Sequence, residues 1–468
     1  MAYQVRNARF AVVATFAMCG FNFANWASRL PVVKAELGLS GGDLAILLLF
    51  VSGGSLTAIP LAGVLTDRWG TRQVVGSMAV MMTLGLAGAV SAVALGTTIM
   101  AAISLYIMGL GMGTWDVAMN VEGAIVEHEL QKSVMAQFHA AWSMGTVAGA
   151  GVGAIMAATG VPINWHLYGI LIVSLSIVLY AVRHYLPPEA RLEMGAEQTA
   201  EAVDASQTTD AAPNTDAASG TPATATNTTS HAPTSATDAT SSAPITGTAP
   251  EAPAKHRSPW LEARTLLIGL LVLAATLTEG AANDWIAVAV ESEMTPDLTE
   301  RASETVGAIS LGVFLTAMTA MRLFGNGLLD RRGRVFVLRL SAACGVIGLL
   351  LFGLSPWFYL AVVGIALWGL GSALGFPVGM SAASDDPLRA ARRVAVVAAI
   401  GYTAFLAGPP LVGFVADHLG YRNSLLLIAI PMAIGFIIAA KAAPLPGSRT
   451  ALHEEALRNN ARERSVKS

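Results

Sequence analysis

Between positions 63 and 72 the chain reads GVLTDRWGTR, a basic turn bounded by glycines and set between apolar stretches at about 43–66 and 73–95. A bilayer-spanning helix needs roughly 20 predominantly apolar residues, and each of these stretches supplies them. A degenerate copy, NGLLDRRGR at 326–334, stands between apolar stretches at about 304–329 and 335–355. The same short turn therefore joins the same kind of element pair twice. Working outward from both copies, the apolar windows fall at about 9–30, 43–66, 73–95, 97–121, 137–159 and 164–186. A second set follows at about 265–290, 304–329, 335–355, 357–381, 392–416 and 421–443. The reading is an all-α integral membrane protein of twelve spans in two six-helix halves.

Composition leaves little else. Of 468 residues, 54% are hydrophobic and 13% charged, and mean hydropathy is +0.58. Soluble proteins carry roughly 25% charged residues, so a soluble enzyme, a disordered chain and a nucleic-acid binder are excluded. The formal charge of −3 offers no basic field for a polyanion. Cys19 and Cys344 lie inside apolar runs and read as small hydrophobes. The first span, preceded by Arg6 and Arg9, resembles a signal peptide. It continues through Asn22, Asn25 and Trp26 without a small-residue cleavage site and is kept as a helix.

The stretch from Glu189 to Ser258 is built of Ala, Thr, Ser, Pro and Asp. It cannot bury enough surface to offset its ordering entropy, so a disordered linker is expected. The domain reading is thus an N-terminal half at 1–188, the linker at 189–258, a C-terminal half at 259–445 and a tail at 446–468. One side of the membrane collects Arg6, Arg9, Arg68, Arg72, Lys132, Arg183, Arg191, Lys255, Arg257, Arg264, Arg331, Arg332, Arg334, Arg339, Arg389, Arg392, Arg393, Lys441 and the basic C-terminal tail. The other collects only Arg29, Lys34, Arg301 and Arg422. This asymmetry places both termini and the linker in the cytoplasm, and the chain in the cell membrane. The acidic loop read from Glu122 to Lys132 is the weak point of that assignment.

The halves repeat. Asn25-Trp26 recurs as Asp284-Trp285, Asp67-Arg68-Trp69-Gly70 as Asp330-Arg331-Arg332-Gly333, and Gly109-Leu110-Gly111 as Gly369-Leu370-Gly371. Gly149, Gly153 and Gly160 recur as Gly408, Gly413 and Gly420. Each shift is about 260 residues, in order along the chain, as duplicated halves require. Parallel six-helix halves are an architecture of rocking secondary transporters.

The loop at 63–72, its copy at 326–334 and the duplication resemble the major facilitator superfamily over the whole chain apart from linker and tails. Spans one, four, five and seven further resemble a bacterial branch near the fucose-permease-like sugar:proton symporters. The resemblance implies the fold of that superfamily, and a cytoplasmic gate built from the loop residues Gly63, Asp67, Arg68, Gly70 and Arg72 with Asp330 and Arg331. In the family this cluster latches the cytoplasmic side of the outward-facing state. On physical grounds Asp67 ends a helix whose dipole repels it, so it needs a partner in Arg68, Arg72 or the start of span eleven near Arg392 and Arg393. Gly63 is expected to admit a neighbouring helix.

Polar residues inside the membrane are expensive, roughly 2.5–3.5 kcal/mol for Asp at a helix centre on insertion scales, and default to function. Span one carries the stripe Asn22, Asn25, Trp26 and Arg29; span seven carries Thr276, Glu279 and Asn283 with Asp284 and Trp285. The two stripes are expected to meet across a central cavity and bind substrate, with packing between helices as the plain alternative. Glu279 and Asp116, with Asp284 beside them, are the candidates for proton coupling; the alternative is a structural acid bonded to a neighbouring helix. Sugar:proton symporters of the fucose type use carboxylates in spans one and four, and here span one offers Asn22 and Asn25 instead. Asn120 lies one turn after Asp116. His139, with Ser143 and Thr146 on its face, and Tyr402 complete the candidate substrate contacts. Arg322, about two turns inside span eight, reads as snorkelling to the interface.

No phosphate-binding Gly-Lys-Ser/Thr loop, metal-ligand cluster or nucleophile triad is present, so no enzyme, cofactor or metal is expected. The expectation is a monomeric secondary transporter of the inner membrane, carrying a small polar solute by symport with protons. Its partners are that solute, protons and the lipid bilayer, with no nucleic acid. An efflux antiporter is the first alternative. The Gly-Pro pair of drug antiporters is missing from span five, where Gly145, Gly149, Gly151 and Gly153 stand without a proline. A membrane sensor that moves nothing is the second.

Overall fold

The computed structural model describes residues 2–130, 134–187, 258–386 and 389–445. The expected linker, save Ser258, and the expected tail lie outside the described residues. Among the described residues twelve helices are long and apolar enough to cross a membrane. In the N-terminal half they are Gln4–Ala27, Gly41–Trp69, Thr71–Ala94, Thr98–Leu130, Gln137–Ala158 and Ile163–His184. In the C-terminal half they are Ala263–Glu293, Glu300–Gly325, Arg334–Leu354, Phe358–Ala383, Arg392–Leu419 and Tyr421–Ala442. They are spans one to twelve below. The end bearing the two basic turns is called the basic end, and the other the far end.

The duplicated Gly-Leu-Gly explains how each half packs. A Cβ on Gly109 would lie 2.1 Å from the Val51 carbonyl oxygen of span two, and one on Gly111 would lie 2.6 Å from Met82 N of span three. In the second half a Cβ on Gly369 would lie 2.4 Å from Phe314 O of span eight, and one on Gly371 would lie 2.4 Å from Gly345 N of span nine. Spans four and ten are thus wedged backbone-to-backbone between two neighbours, as membrane helices pack when dispersion rather than hydrophobicity holds them. Between the halves, packing runs chiefly in two pairs, span two with span eleven and span five with span eight.

Both basic turns are sharp. Gly70 (φ 79°) and Gly333 (φ 78°) take left-handed backbone between consecutive helices, which only glycine adopts without strain. Span two continues through Asp67, Arg68 and Trp69, so these close a helix rather than form a loop. Span four likewise runs on to Leu130, and most of the stretch read as an acidic loop is helix. Its acids explain the extension. Buried Glu122 accepts from Thr71 Oγ1 (2.6 Å) and Leu186 N (2.7 Å). Glu127 caps span five, accepting from Val134 N and Met135 N, both at 2.6 Å; a carboxylate suits the positive end of a helix.

Span ten, expected to be continuous, is broken into Phe358–Ser372 and Gly375–Ala383. The Ala373 carbonyl would bond the N–H four residues on, but that residue is Pro377, which has none. The orphaned oxygen is taken from outside the helix by Arg322 Nε at 3.3 Å.

Candidate functional site

Arg322 stands at the seam between the halves. Its Nη2 donates to Glu279 Oε2 of span seven at 2.8 Å, and its Nη1 lies 3.4 Å from Ser143 Oγ of span five. Thr319, one turn away, reaches the Ser143 carbonyl at 3.4 Å. One guanidinium thus ties together spans seven and ten of its own half and span five of the other. The snorkelling expected of Arg322 is corrected: it turns inward, because a carboxylate and an orphaned carbonyl lie there.

Asp116 is near the middle of span four yet exposed. It lies within electrostatic reach of Cys19 in span one and Tyr402 in span eleven, so its exposure is to an interior opening and not to lipid. Asn120 sits one turn along, its Nδ2 donating to the Asp116 carbonyl (2.8 Å) and lying 3.5 Å from Oδ1. His139 packs edge-on against Phe16 of span one, ring centroids 5.4 Å apart, and is exposed on its other side. Arg322 is within its electrostatic reach. Asp116, Asn120 and Tyr402 thus form one polar neighbourhood, and Glu279, Arg322 and His139 a second.

The polar stripe of span one turns elsewhere. Asn22 donates from Nδ2 to Ser174 Oγ (2.8 Å), and Asn25 Oδ1 lies 2.9 Å from His166 Nε2; both partners belong to span six. Trp26 is buried beside them. The expected meeting of the two stripes is corrected: span one turns Asn22 and Asn25 into its own half, where they bond Ser174 and His166. Asn283 is buried, and Trp285 is buried and stacked on Tyr421 (5.5 Å, 28°). Asp284 between them is half-buried.

Arg29, the end of that stripe, joins the halves. Its Nε lies 2.8 Å from Glu304 Oε1 of span eight, and Nη2 donates to Val161 O at 3.0 Å. Burial pushes the Arg29 guanidinium below its ordinary value, and Glu304 opposes that shift. Nearby, Asp417 at the end of span eleven accepts from Gly41 N (2.6 Å) and Gly42 N (2.8 Å) at the start of span two. Lys34 stands 5.5 Å over the Tyr421 ring. These contacts close the far end, and sequence reading singled out none of them as a closure.

At the basic end Asp67, Arg68, Arg72, Asp330 and Arg331 are exposed. A Cβ on Gly63 would meet nothing within 4 Å, so the close helix approach expected there is not formed in this state. Arg393, offered as a partner for Asp67, is held in its own half by Glu262 at 2.7 Å and Asp386 at 3.3 Å, and Arg389 reaches Glu262 at 3.1 Å. Burial raises the Glu262 carboxyl, but hydrogen bonds from Arg393 and Thr265 and the charges of Arg393 and Arg389 outweigh it, leaving Glu262 below the usual carboxylate range. Buried Asp385 lies 3.0 Å from Arg334 and 2.8 Å from Arg264. Among the described residues no cluster of His, Cys, Asp or Glu side chains is placed to hold a metal ion.

Comparison with known proteins agrees with this geometry. The family model described as Major Facilitator Superfamily matches residues 11–278 and 272–466. The chain is 28% identical over 430 residues to the uncharacterized transporter y4wD of Sinorhizobium fredii, covering 92% of this chain and 96% of that protein. Among solved structures it resembles the nucleoside transporter NupG, with TM-score 0.63, 12% identity, and 92% and 98% of the two chains covered. It also resembles the Escherichia coli fucose:proton symporter FucP, with TM-score 0.52, 14% identity, and 93% and 99% covered. At such identities the likeness is one of fold.

Proposed function

The chain belongs to the major facilitator superfamily, and from that premise we propose that it is a secondary active transporter carrying a small polar solute, a sugar or related metabolite, in symport with protons by alternating access. The observation that carries this reading is the Arg322 junction, where one cation bonds Glu279 in its own half and reaches Ser143 in the other. Protonating Glu279 cancels the charge that holds Arg322, so the guanidinium is released toward solute or toward span five. Binding on one half is thereby linked to the seam along which the halves move. Asp116 is the second acid open to the cavity, and Asn120, His139 and Tyr402 supply hydrogen-bonding groups for a hydroxylated solute. Asn22, Asn25, Trp26, Asn283 and Trp285 shape the walls from behind.

The basic end is assigned to the cytoplasm on its Arg and Lys excess. The protein then sits in the cytoplasmic membrane as a monomer with both termini inside, and the state seen here, closed at the far end, faces inward. The halves correspond to 1–188 and 259–445, tethered by 189–258. The solute class is supported by the hydrogen-bonding groups Asn120, His139 and Tyr402 and by the activities of two fold neighbours, a nucleoside transporter and a fucose:proton symporter. The test is a thermal-shift screen of neutral hexoses, pentoses and nucleosides, followed by counterflow of the stabilising compound in proteoliposomes. Counterflow, with uptake stimulated by an inward proton gradient, is expected. Ligand stabilisation without counterflow would replace the reading with a sensor.

A further inference from the structure

A third version of the basic turn stands at the wrong end of the molecule. Residues 413–422 read GFVADHLGYR, which repeats the Gly-x-x-x-Asp-x-x-Gly-x-Arg spacing of GVLTDRWGTR at 63–72, but here the turn joins spans eleven and twelve at the far end. The backbone repeats too. Gly420 has φ 82° and ψ 160°, against 79° and 158° at Gly70. The arginine is retained as a carbonyl clamp, Arg422 Nε donating to Phe352 O at 2.9 Å.

What this turn does is visible. Asp417 splits its carboxylate between two backbone N–H groups, Gly41 at 2.6 Å and Gly42 at 2.8 Å, on the first turn of span two. Charge-assisted bonds to a helix N-terminus are among the stronger polar contacts. Among the described residues two other carboxylates cap the starts of transmembrane helices from a neighbouring span in the same way. Glu127 caps span five and Glu293 receives Tyr421 N and Arg422 N of span twelve. Both act within one half, whereas Asp417 acts from one half onto the other. The site is also shaped for it: a Cβ on Gly41 would lie 2.8 Å from Asp417 Oδ1 and 2.8 Å from the Gly413 carbonyl oxygen. Glycines on both helices are what let the carboxylate reach the backbone.

We propose that Asp417 is the latch of the far end, the counterpart of Asp67 at the basic end. The two latches hold opposite states of the transporter. Asp417 on the start of span two keeps the far end shut, and its release lets spans two and eleven part there. The basic turn of span two then brings Asp67 to the start of span eleven. This deepens the alternating-access reading and rests on it, but its test reads conformation and needs no solute, so the two fail separately.

The experiment measures spin-label distances in the full chain, with Cys19 and Cys344 replaced by Ala. One pair, Glu36→Cys with Asn423→Cys, spans the far end; another, Gln73→Cys with Phe336→Cys, spans the basic end. Asp417→Asn keeps the side-chain shape and removes the charge. It is expected to move the population toward a longer far-end and a shorter basic-end distance by about tenfold or more, as the loss of charged hydrogen bonds held in one state only requires. Gly41→Ala should do the same by sterics, and Asp417→Glu should restore most of the original distribution. Asp67→Asn should leave the far end shut. An unchanged far-end distance in folded Asp417→Asn overturns the proposal. So does a loosening of both ends together, which would make Asp417 a fold-wide brace.

Discussion

Pro377 removes one backbone N–H, and the carbonyl it orphans at Ala373 helps to hold Arg322 at the seam. The acids Glu279 and Asp116 could be picked from the sequence because a carboxylate in an apolar run has few uses other than function. Arg322 could not, since a long cationic side chain has a cheap escape to the interface and only the positions of Glu279 and the Ala373 carbonyl in space make the inward rotamer better. Asn22 and Asn25 went the other way. Their spacing showed a polar face, but Ser174 and His166 across span six decided what that face meets. Glu279→Gln is expected to abolish proton-driven accumulation while sparing counterflow, as measured in proteoliposomes with and without a pH gradient. Undiminished gradient-driven uptake by that variant counts against the coupling role. Because the pair is only partly exposed, Glu279→Gln and Arg322→Gln should each lower the melting temperature more than the double variant does, since a lone charge costs more than a missing pair.

At the scale of elements, the glycine pattern was legible and its meaning exact to the ångström only in the packed state. Gly109→Val drives a side chain into the Val51 carbonyl and should cost about 1–3 kcal/mol in an overpacked interface, read as a lower melting temperature and poorer folded yield. Gly63→Ala, with open space around it, should leave stability unchanged or raise it by up to about 1 kcal/mol. The start of span seven gives a pH test. Glu262 lies below its ordinary range in the folded state, so its contribution is present above the unfolded carboxylate value and is lost as pH falls through the lower folded one. Thermal unfolding at pH 7 and at pH 4 should therefore differ more in the wild type than in Glu262→Gln. An equal acid sensitivity in the two proteins would assign the effect to other carboxylates.

For the whole molecule, the distribution of charge is the feature that reaches furthest. A membrane-impermeant maleimide applied to intact cells should label Glu36→Cys at the far end and spare Gln73→Cys at the basic end, in a background without Cys19 and Cys344; the reverse pattern would invert the orientation. Twelve spans, the duplication, the membrane as solvent and the sharp basic turns follow from the chain alone, because a bilayer leaves the backbone only the helix or the closed barrel, and apolar runs of helix-spanning length select the helix. The basic turns at 63–72 and 326–334 were read there for the same reason: glycine at positive φ and a run of arginines are local properties. Which face of each helix meets which neighbour was decided by packing. Asp417 joins span two at Gly41 and Gly42, 376 and 375 residues away along the chain. Only the tertiary structure could bring those groups together, since the pairing depends on both halves closing at the far end, and a chain read in order carries no record of which end is shut.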